Sequence, residues 1–156
     1  MKYANGDFPG TSSDDIKVLY KRFNDKDYKG AVEEADKIMK SDYVSLDAHM
    51  VASAAYKELN DDAAAKLHHD IAAGLLKSIM SPGTGVSVDS PYTVISVDEE
   101  YSFMRAMGYQ PHTQAYLHNG DKSFDKMVMV DTKDNSEVTV YFDVTISDKK
   151  MFKGLK

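Results

Sequence analysis

The sequence predicts an α+β fold: four helices, in two hairpins that resemble tetratricopeptide repeats, packed on a four-stranded, mostly antiparallel sheet. Three observations support this prediction. Apolar residues recur at helical spacing up to Met80, and from Tyr92 onward they occur in β-branched and aromatic runs typical of strands. Between these two parts, Ser81–Gly85 contains one proline and two glycines, which indicates a turn or loop. One short helix is expected after the first strand.

Two helical hairpins are predicted between residues 12 and 81. Asn24-Asp25 and Asn60-Asp61 break the helical pattern, and each is followed by an alanine-rich helix. Their spacing is close to the period of roughly 34 residues that is typical of tetratricopeptide repeats. The helices are expected from a cap at Ser13 or Asp14 to about Phe23, and then over Tyr28–Lys40, Leu46–Leu59 and Ala63–Met80.

The fourth helix carries an apolar arc that is too wide for one buried face. At about 100° per residue, its apolar residues together with His68 and His69 fill roughly 220° of the helix circumference. An arc of that width predicts burial on two sides. We therefore expect the fourth helix to lie between the helical hairpins and the sheet.

The second half begins with a strand that leads directly into a helix. Tyr92–Val97 is rich in β-branched and aromatic residues. Ser96 and Glu99 have the spacing of a capping box, and Gly108 is a natural helix stop. Further strands are expected at Gln110–His118, Ser123–Asp131 and Glu137–Ile146, with a tight turn at Asn119-Gly120 and a frayed basic tail at 148–156.

These elements make up one predicted domain, residues 1–156. It comprises a helical half at 12–81, a connecting loop at 82–91, a β-α-β-β-β half at 92–147 and the tail at 148–156.

Composition excludes several classes of function. The net charge is −6 and no basic run is present, which argues against nucleic-acid binding. No apolar run approaches the roughly 20 residues of a membrane helix, and the lack of cysteine excludes disulfides and cysteine-based zinc sites. The sequence contains no phosphate-binding, dinucleotide-binding, serine-hydrolase or zinc-protease motif. We therefore expect no cofactor and no metal, and an enzyme is disfavoured.

Two adjacent histidines lie on the predicted fourth helix. His68 and His69 point about 100° apart, so they cannot chelate one ion as an i, i+4 pair would. His68 falls within the apolar stripe, where we expect a neutral, hydrogen-bonded core histidine. His69 lies toward the flank assigned to the sheet, where it is either a structural residue or part of a cleft.

Acidic and tyrosine side chains near the predicted corner and last strand are further candidates. Glu99 and Glu100 could form a general acid/base pair, but helix capping alone also explains their presence. Tyr141 and Asp143, on the polar face of the last strand, either line a groove or face solvent.

Several segments occur in a characteristic order: His69, Gly74–Ile79, Gly83-x-Gly85, Val94–Tyr101 and Tyr141–Val144. In this order they resemble a bacterial family catalogued as domain of unknown function number 4919, over most of the chain. The resemblance implies an exported or envelope protein without an established activity. It implies a periplasmic or exported location if a native signal precedes Met1, and a cytoplasmic one otherwise. The residues that match the family pattern, and are thereby candidates, are His69, Gly85, Glu99, Glu100, Tyr101, Tyr141 and Asp143.

The leading functional hypothesis is a non-catalytic scaffold or binding module for a protein or peptide partner. It predicts a concave groove on the helical half, lined by Tyr20, Tyr28 or Tyr56. The alternative is a small-molecule or hydrolase-like site between the fourth helix and the corner at 96–101. That site would use His69 with Glu99 or Glu100 and with Asp143, and the sequence leaves the oligomeric state open.

Overall fold

The structure, a computed structural model, describes residues 14–153. The chain divides into two compact units, one ending at Leu76 and the other beginning at Lys77. The described residues form six helices and one four-stranded mixed sheet, which confirms the predicted α+β class. The predicted cap at Ser13 and the last residues of the predicted tail, 154–156, lie outside the described part of the chain.

The helical unit is built from two successive helix pairs, as predicted. The helices are α1 (Asp14–Asn24), α2 (Tyr28–Ser41), α3 (Leu46–Glu58) and α4 (Asp62–Met80), the last of which continues past the end of the unit. Acidic or hydroxyl side chains fix three of the helix starts by accepting a backbone N–H in the first turn. Asp27 accepts the N–H of Gly30 in α2, Ser45 accepts that of Ala48 in α3, and Asp61 accepts that of Ala64 in α4. The detailed likeness to tetratricopeptide repeats stays a prediction.

The core of the helical unit combines small and large side chains. Ala31, Ala35 and Ala52 are fully buried and let the helices approach closely. Tyr20 is also fully buried, and its hydroxyl donates a hydrogen bond of 2.5 Å to the carboxylate of Asp47. The bond satisfies the phenol inside an otherwise apolar core.

Helix α4 buries a narrower stripe than its sequence predicts. Its buried residues are Ala65, Ala72 and Ile79, which recur every seven positions. Leu67, a member of the predicted arc, is 59% exposed. Six further residues of the predicted arc are half-buried, and only three of its residues are exposed, namely Leu67, His69 and Ser78. The predicted arc is therefore partly buried and narrower than expected. The expected position of α4 between hairpins and sheet stays a prediction.

The sheet unit has the strand order β1-β4-β3-β2. The strands are β1 (Tyr92–Thr93), β2 (Tyr109–Asn119), β3 (Lys122–Asp131) and β4 (Glu137–Asp143). β3 is antiparallel to both of its neighbours, and the two-residue β1 runs parallel to β4. The sheet is thus mostly antiparallel, as predicted, although β1 is shorter than the expected Tyr92–Val97.

Helix α5 (Val97–Met107) begins and ends where the sequence predicts. The Ser96 hydroxyl accepts the backbone N–H of Glu99 at 3.3 Å, and the Glu99 carboxylate accepts that of Ile95 at 2.7 Å. Gly108 ends the helix with a φ of 75°, a left-handed conformation that glycine adopts readily. The predicted Ser96 cap and the Gly108 stop are therefore confirmed, whereas the Glu99 carboxylate binds the N–H of Ile95, one residue before the position that a capping box uses.

A sixth helix corrects the predicted end of the chain. β4 stops at Asp143, and α6 covers Thr145–Lys153, where we expected the end of a strand and a frayed tail. Asp143 accepts the backbone N–H of Thr145 at 3.0 Å and so fixes the strand-to-helix turn. The alternation of the last strand had continued through Ile146, which concealed this boundary. Within residues 14–153, no helix is long and apolar enough to cross a membrane.

Candidate functional site

The helical unit contains a cavity of about 580 Å³, which we call the helical groove. It lies between the α1–α2 turn, α3 and the middle of α4. Its apolar lining consists of Phe23, Tyr28, Met50, Ala54 and Ala72, and the charged or titratable lining residues are Lys26, Lys57, Glu58 and His69. Phe23 and Tyr28 meet edge to face, with ring centroids 5.5 Å apart. The groove therefore offers an apolar surface together with groups of both charges.

The three tyrosines predicted for a partner groove occupy different environments. Tyr28 lines the helical groove. Tyr20 is fully buried on Asp47, so its ring is not available to a partner. Tyr56 is half-buried and stacks on the imidazole of His68, with ring centroids 5.6 Å apart and an interplanar angle of 8°. Sequence periodicity alone does not distinguish these three environments, because each ring lies on the apolar side of its helix.

His68 is held in a histidine pair inside the helical unit. Its Nδ1 lies 2.9 Å from Nδ1 of His49, and His49 Nε2 lies 2.8 Å from the carbonyl oxygen of Tyr43. Both contacts are hydrogen bonds when the two imidazoles are neutral. His49 Nε2–H then donates to the carbonyl oxygen of Tyr43, and His49 Nδ1 accepts from Nδ1–H of His68. Burial and the neighbouring His49 lower the pKa of His68, which favours this neutral form. His68 is thus a hydrogen-bonded structural histidine, as expected, whereas His69 is exposed and lines the helical groove.

The candidate residues of the predicted corner and the last strand occupy separate local environments. The Glu99 carboxylate accepts the backbone N–H of Ile95 before α5, and the Asp143 carboxylate accepts that of Thr145 at the start of α6. Tyr101 is 8% exposed, and the Lys126 ammonium lies 5.9 Å from the ring centroid of Tyr141. These four residues therefore have structural contacts of their own. A cleft that would join them with His69 stays a prediction.

Glu100 is fully buried beside a second carboxyl group that the sequence analysis missed. Asp125 on β3 is 5% exposed, and its Oδ2 accepts a hydrogen bond of 2.7 Å from Gln114 Nε2. Burial, followed by the charge of Asp125, raises the pKa of Glu100 from its ordinary 4.5 to about 9. Glu100 is therefore protonated at neutral pH and can donate to Asp125. Burial also raises the pKa of Asp125, while hydrogen bonds from Gln114 and Glu100 oppose that rise.

Two sequence signals could have indicated this pair. Val97, Glu100, Tyr101 and Met104 recur at i, i+3, i+4 and i+7, which places Glu100 on the apolar face of α5. Asp125 alternates with the buried Met127 and Met129 on β3, so it points into the same layer. A carboxyl group in an apolar stripe is unusual enough to mark both positions.

The sheet unit also contains a cavity of about 420 Å³, which we call the carboxyl pocket. Asp125, Gln114, Tyr116, Ser147 and Asp148 form its polar lining, and Val97 and Val144 form the apolar part. Asp148 belongs to α6 and accepts hydrogen bonds from Tyr116 at 2.5 Å and from Ser123 at 2.7 Å. These two bonds hold the pKa of Asp148 below its usual range. Nowhere in residues 14–153 do three or more histidine or acidic side chains gather in a geometry that could hold a metal ion.

The fold and these sites define the chain as an α+β protein with a helix-pair unit and a mixed-sheet unit, each with its own cavity. It belongs to the family described as Domain of unknown function (DUF4919), whose model matches residues 2–153. No curated protein and no solved structure matches the chain.

Proposed function

We propose that the protein is a binding module that receives a peptide segment in the helical groove. The observation that carries this proposal is the groove itself, in which Phe23, Tyr28 and Met50 line one cavity of the helical unit. A volume of about 580 Å³ lies within the range of roughly 300–1,000 Å³ that is typical of ligand pockets. Aromatic residues and methionine are enriched at protein interfaces, and the flexible methionine side chain adapts to irregular apolar partners.

The charges around the helical groove favour a peptide that carries carboxylates beside its apolar anchor. Lys26 and Lys57 line the groove together with only one acidic side chain, Glu58. The groove therefore has an excess of positive charge, although the whole chain has a net charge of −6. Opposite charges around an apolar contact mainly increase the association rate and the specificity.

The test begins with a random peptide library selected on the purified protein, followed by affinity measurements on the selected peptides. Ala54→Arg places a long charged side chain into the groove, and Leu67→Arg places the same side chain on an exposed part of α4 outside it. We expect Ala54→Arg to weaken binding at least about tenfold, and Leu67→Arg to change it less than about twofold.

The charge preference is tested by a second matched pair. Lys57→Glu and Lys40→Glu both reverse an exposed lysine in the last turn of a helix, but only Lys57 lines the groove. Acidic peptides should lose affinity for the Lys57→Glu variant and keep their affinity for the Lys40→Glu variant. Selected peptides that bind all four variants equally, or a library that yields no binder, would refute the proposed function.

A further inference from the structure

Strand β2 forms an open edge of the sheet. Among residues 14–153, its only neighbour in the sheet is β3. From Thr113 to Asn119 every residue is exposed except Leu117, which is half-buried. An edge strand of this kind presents a row of unpaired N–H and C=O groups, with which a further strand can pair.

The backbone hydrogen bonds of β3 show which of its residues face β4. The Asp131 N–H donates to the carbonyl of Ser136, and the Val144 N–H donates to the carbonyl of Ser123, both at 2.9 Å. The odd-numbered residues of β3 therefore turn their backbone groups toward β4, and the even-numbered ones turn theirs toward β2.

The same alternation defines the free backbone groups of β2. From Lys122 to Val128, the even-numbered residues of β3 pair with Thr113, Ala115, Leu117 and Asn119. The residues between them direct their N–H and C=O groups to the open edge, because neighbouring residues of an antiparallel strand alternate in this respect. These residues are Gln114, Tyr116 and His118, and their backbone groups have no hydrogen-bond partner within residues 14–153.

The second half of β2 lacks the features that usually protect a sheet edge. Natural edge strands are guarded by charged side chains, proline or bulges. β2 contains no aspartate, glutamate, lysine or arginine, although these make up 28% of the chain. Pro111 and a register shift between Pro111 and Thr113 interrupt only its first half. The stretch Thr113–Asn119 is therefore regular, uncharged and open to pairing.

We propose that two copies of the chain pair through β2, antiparallel and centred on Tyr116, to form one continuous sheet. A two-fold axis then places Tyr116 opposite its own counterpart, and Gln114 opposite His118 of the second copy. The three opposed pairs of residues exchange two backbone hydrogen bonds each, about six in total. These bonds use only the N–H and C=O groups that are free in the single chain.

The composition of β2 favours a second copy as the added strand. Antiparallel pairing of a strand with itself brings equal side chains close together, so charged residues would repel each other. β2 avoids this repulsion because it has no acidic residue, lysine or arginine. The ring of Tyr116 is 49% exposed, and its contact with the opposite ring adds to the pairing. A single strand pair is smaller than the roughly 1,200–2,000 Å² of a stable interface, so we expect a reversible dimer at high protein concentration.

Sedimentation equilibrium and amide exchange test the pairing over about 10 µM to about 1 mM protein. At about 150 mM salt, repulsion between the two acidic chains is largely screened. We expect the average mass to rise toward twice that of one chain, and the amides of Gln114, Tyr116 and His118 to exchange more slowly as it rises. A single-chain mass over the whole range would overturn the proposal in favour of a strand from another protein.

Two substitutions at one position separate the backbone from the side chain. His118→Pro removes the N–H of an outward-facing residue, and proline is tolerated at such positions of an edge strand. It deletes two of the roughly six bonds, one from each copy, and should weaken dimer formation at least about tenfold. His118→Ala loses the same imidazole but keeps the N–H, and should change dimer formation less than about threefold. Equal dimer formation by the two variants would contradict the proposed pairing.

A pair of cysteine variants tests the register, since the chain has no cysteine of its own. In the proposed dimer the two copies of Tyr116 lie directly opposite each other, with Cα atoms about 5.5 Å apart, which a disulfide can span. The two copies of Ala115 are diagonal neighbours about 7–8 Å apart, which is too far. With oxidised glutathione, Tyr116→Cys should therefore form a disulfide-linked dimer at least about tenfold faster than Ala115→Cys. Equal rates for these two exposed positions would overturn the proposal.

Discussion

Replacing Glu100 by glutamine is expected to stabilise the sheet unit, and increasingly so as the pH rises. The folded state keeps a proton on Glu100 up to a pKa of about 9, whereas the unfolded chain releases it near 4.5. Between these two values the folded state binds one proton more than the unfolded state, so the free energy of unfolding falls as the pH rises. Below pH 4.5 both states are protonated, and the contribution of Glu100 is then fully favourable.

The magnitude follows from the width of this pH range. Between pH 4.5 and about 9, each pH unit lowers the free energy of unfolding by about 1.4 kcal/mol. At pH 7, Glu100 therefore lowers the free energy of unfolding by about 3 kcal/mol. Glutamine has nearly the same shape, does not titrate in this range and can still donate to Asp125. The variant should therefore resemble the wild type at pH 5 and exceed it by about 3 kcal/mol at pH 7.

The assay is urea unfolding at pH 5, 6, 7 and 8, followed through the ¹H–¹⁵N signals of β3. These signals report the sheet unit itself and do not depend on how the helical unit unfolds. Glu33→Gln, the same substitution on an exposed site of α2, controls for the change in net charge and should leave the β3 midpoints unchanged. A difference between Glu100→Gln and wild type that stays constant from pH 5 to pH 8 would refute the reasoning, because Glu100 would then not hold a proton in the folded state.

Three further substitutions test individual contacts. Tyr20→Phe removes the buried hydrogen bond to Asp47 and should lower the free energy of unfolding of the helical unit by about 1–2 kcal/mol. Urea unfolding measures this change, and an unchanged value would mean that the bond has no net effect on stability. Gly108→Ala should lower the free energy of unfolding of the sheet unit by about 1–2 kcal/mol, because alanine at a φ of 75° is strained. Steric crowding adds little, since the added methyl group meets only Thr132 Oγ1 at 3.6 Å. An unchanged free energy of unfolding would show that α5 ends differently. Asp143→Ala removes the side-chain acceptor of the Thr145 amide at the start of α6 and should destabilise that helix by about 1 kcal/mol, seen as faster exchange of the Asp148 amide. Unchanged exchange would show that this Asx-type turn does not stabilise α6.

The helix pairs and the mainly antiparallel sheet could be predicted because their signals are local. Apolar spacing, the Asn-Asp breaks and the capping residues Ser96 and Gly108 each act within a few residues of the chain. The end of β4 could not be placed, because Val144 and Ile146 continue the alternation of the strand past the cap at Asp143. Local periodicity therefore determined the elements, but it could not locate a boundary at which a cap and a strand pattern compete.

The two cavities were harder to predict because they depend on contacts between distant segments. Tyr20 was predicted to line the groove, but its hydroxyl donates a hydrogen bond to Asp47, which lies 27 positions further along the chain. The carboxyl pocket needs Asp148, which the sequence analysis placed in a frayed tail. Asp125 and Glu100 carried a recognisable signal, but only their juxtaposition indicates a shared proton.

The parallel pairing of β1 with β4 has a consequence for the order in which the sheet forms. Tyr92 pairs with Phe142, and α5, β2 and β3 all lie between these two residues in the chain. During synthesis β1 emerges long before its partner, whereas β2, β3 and β4 pair with their neighbours in sequence as they appear. We therefore expect the three-stranded meander to form first and β1 to join it last. Substitutions in β1 should then accelerate unfolding and leave the folding rate nearly unchanged.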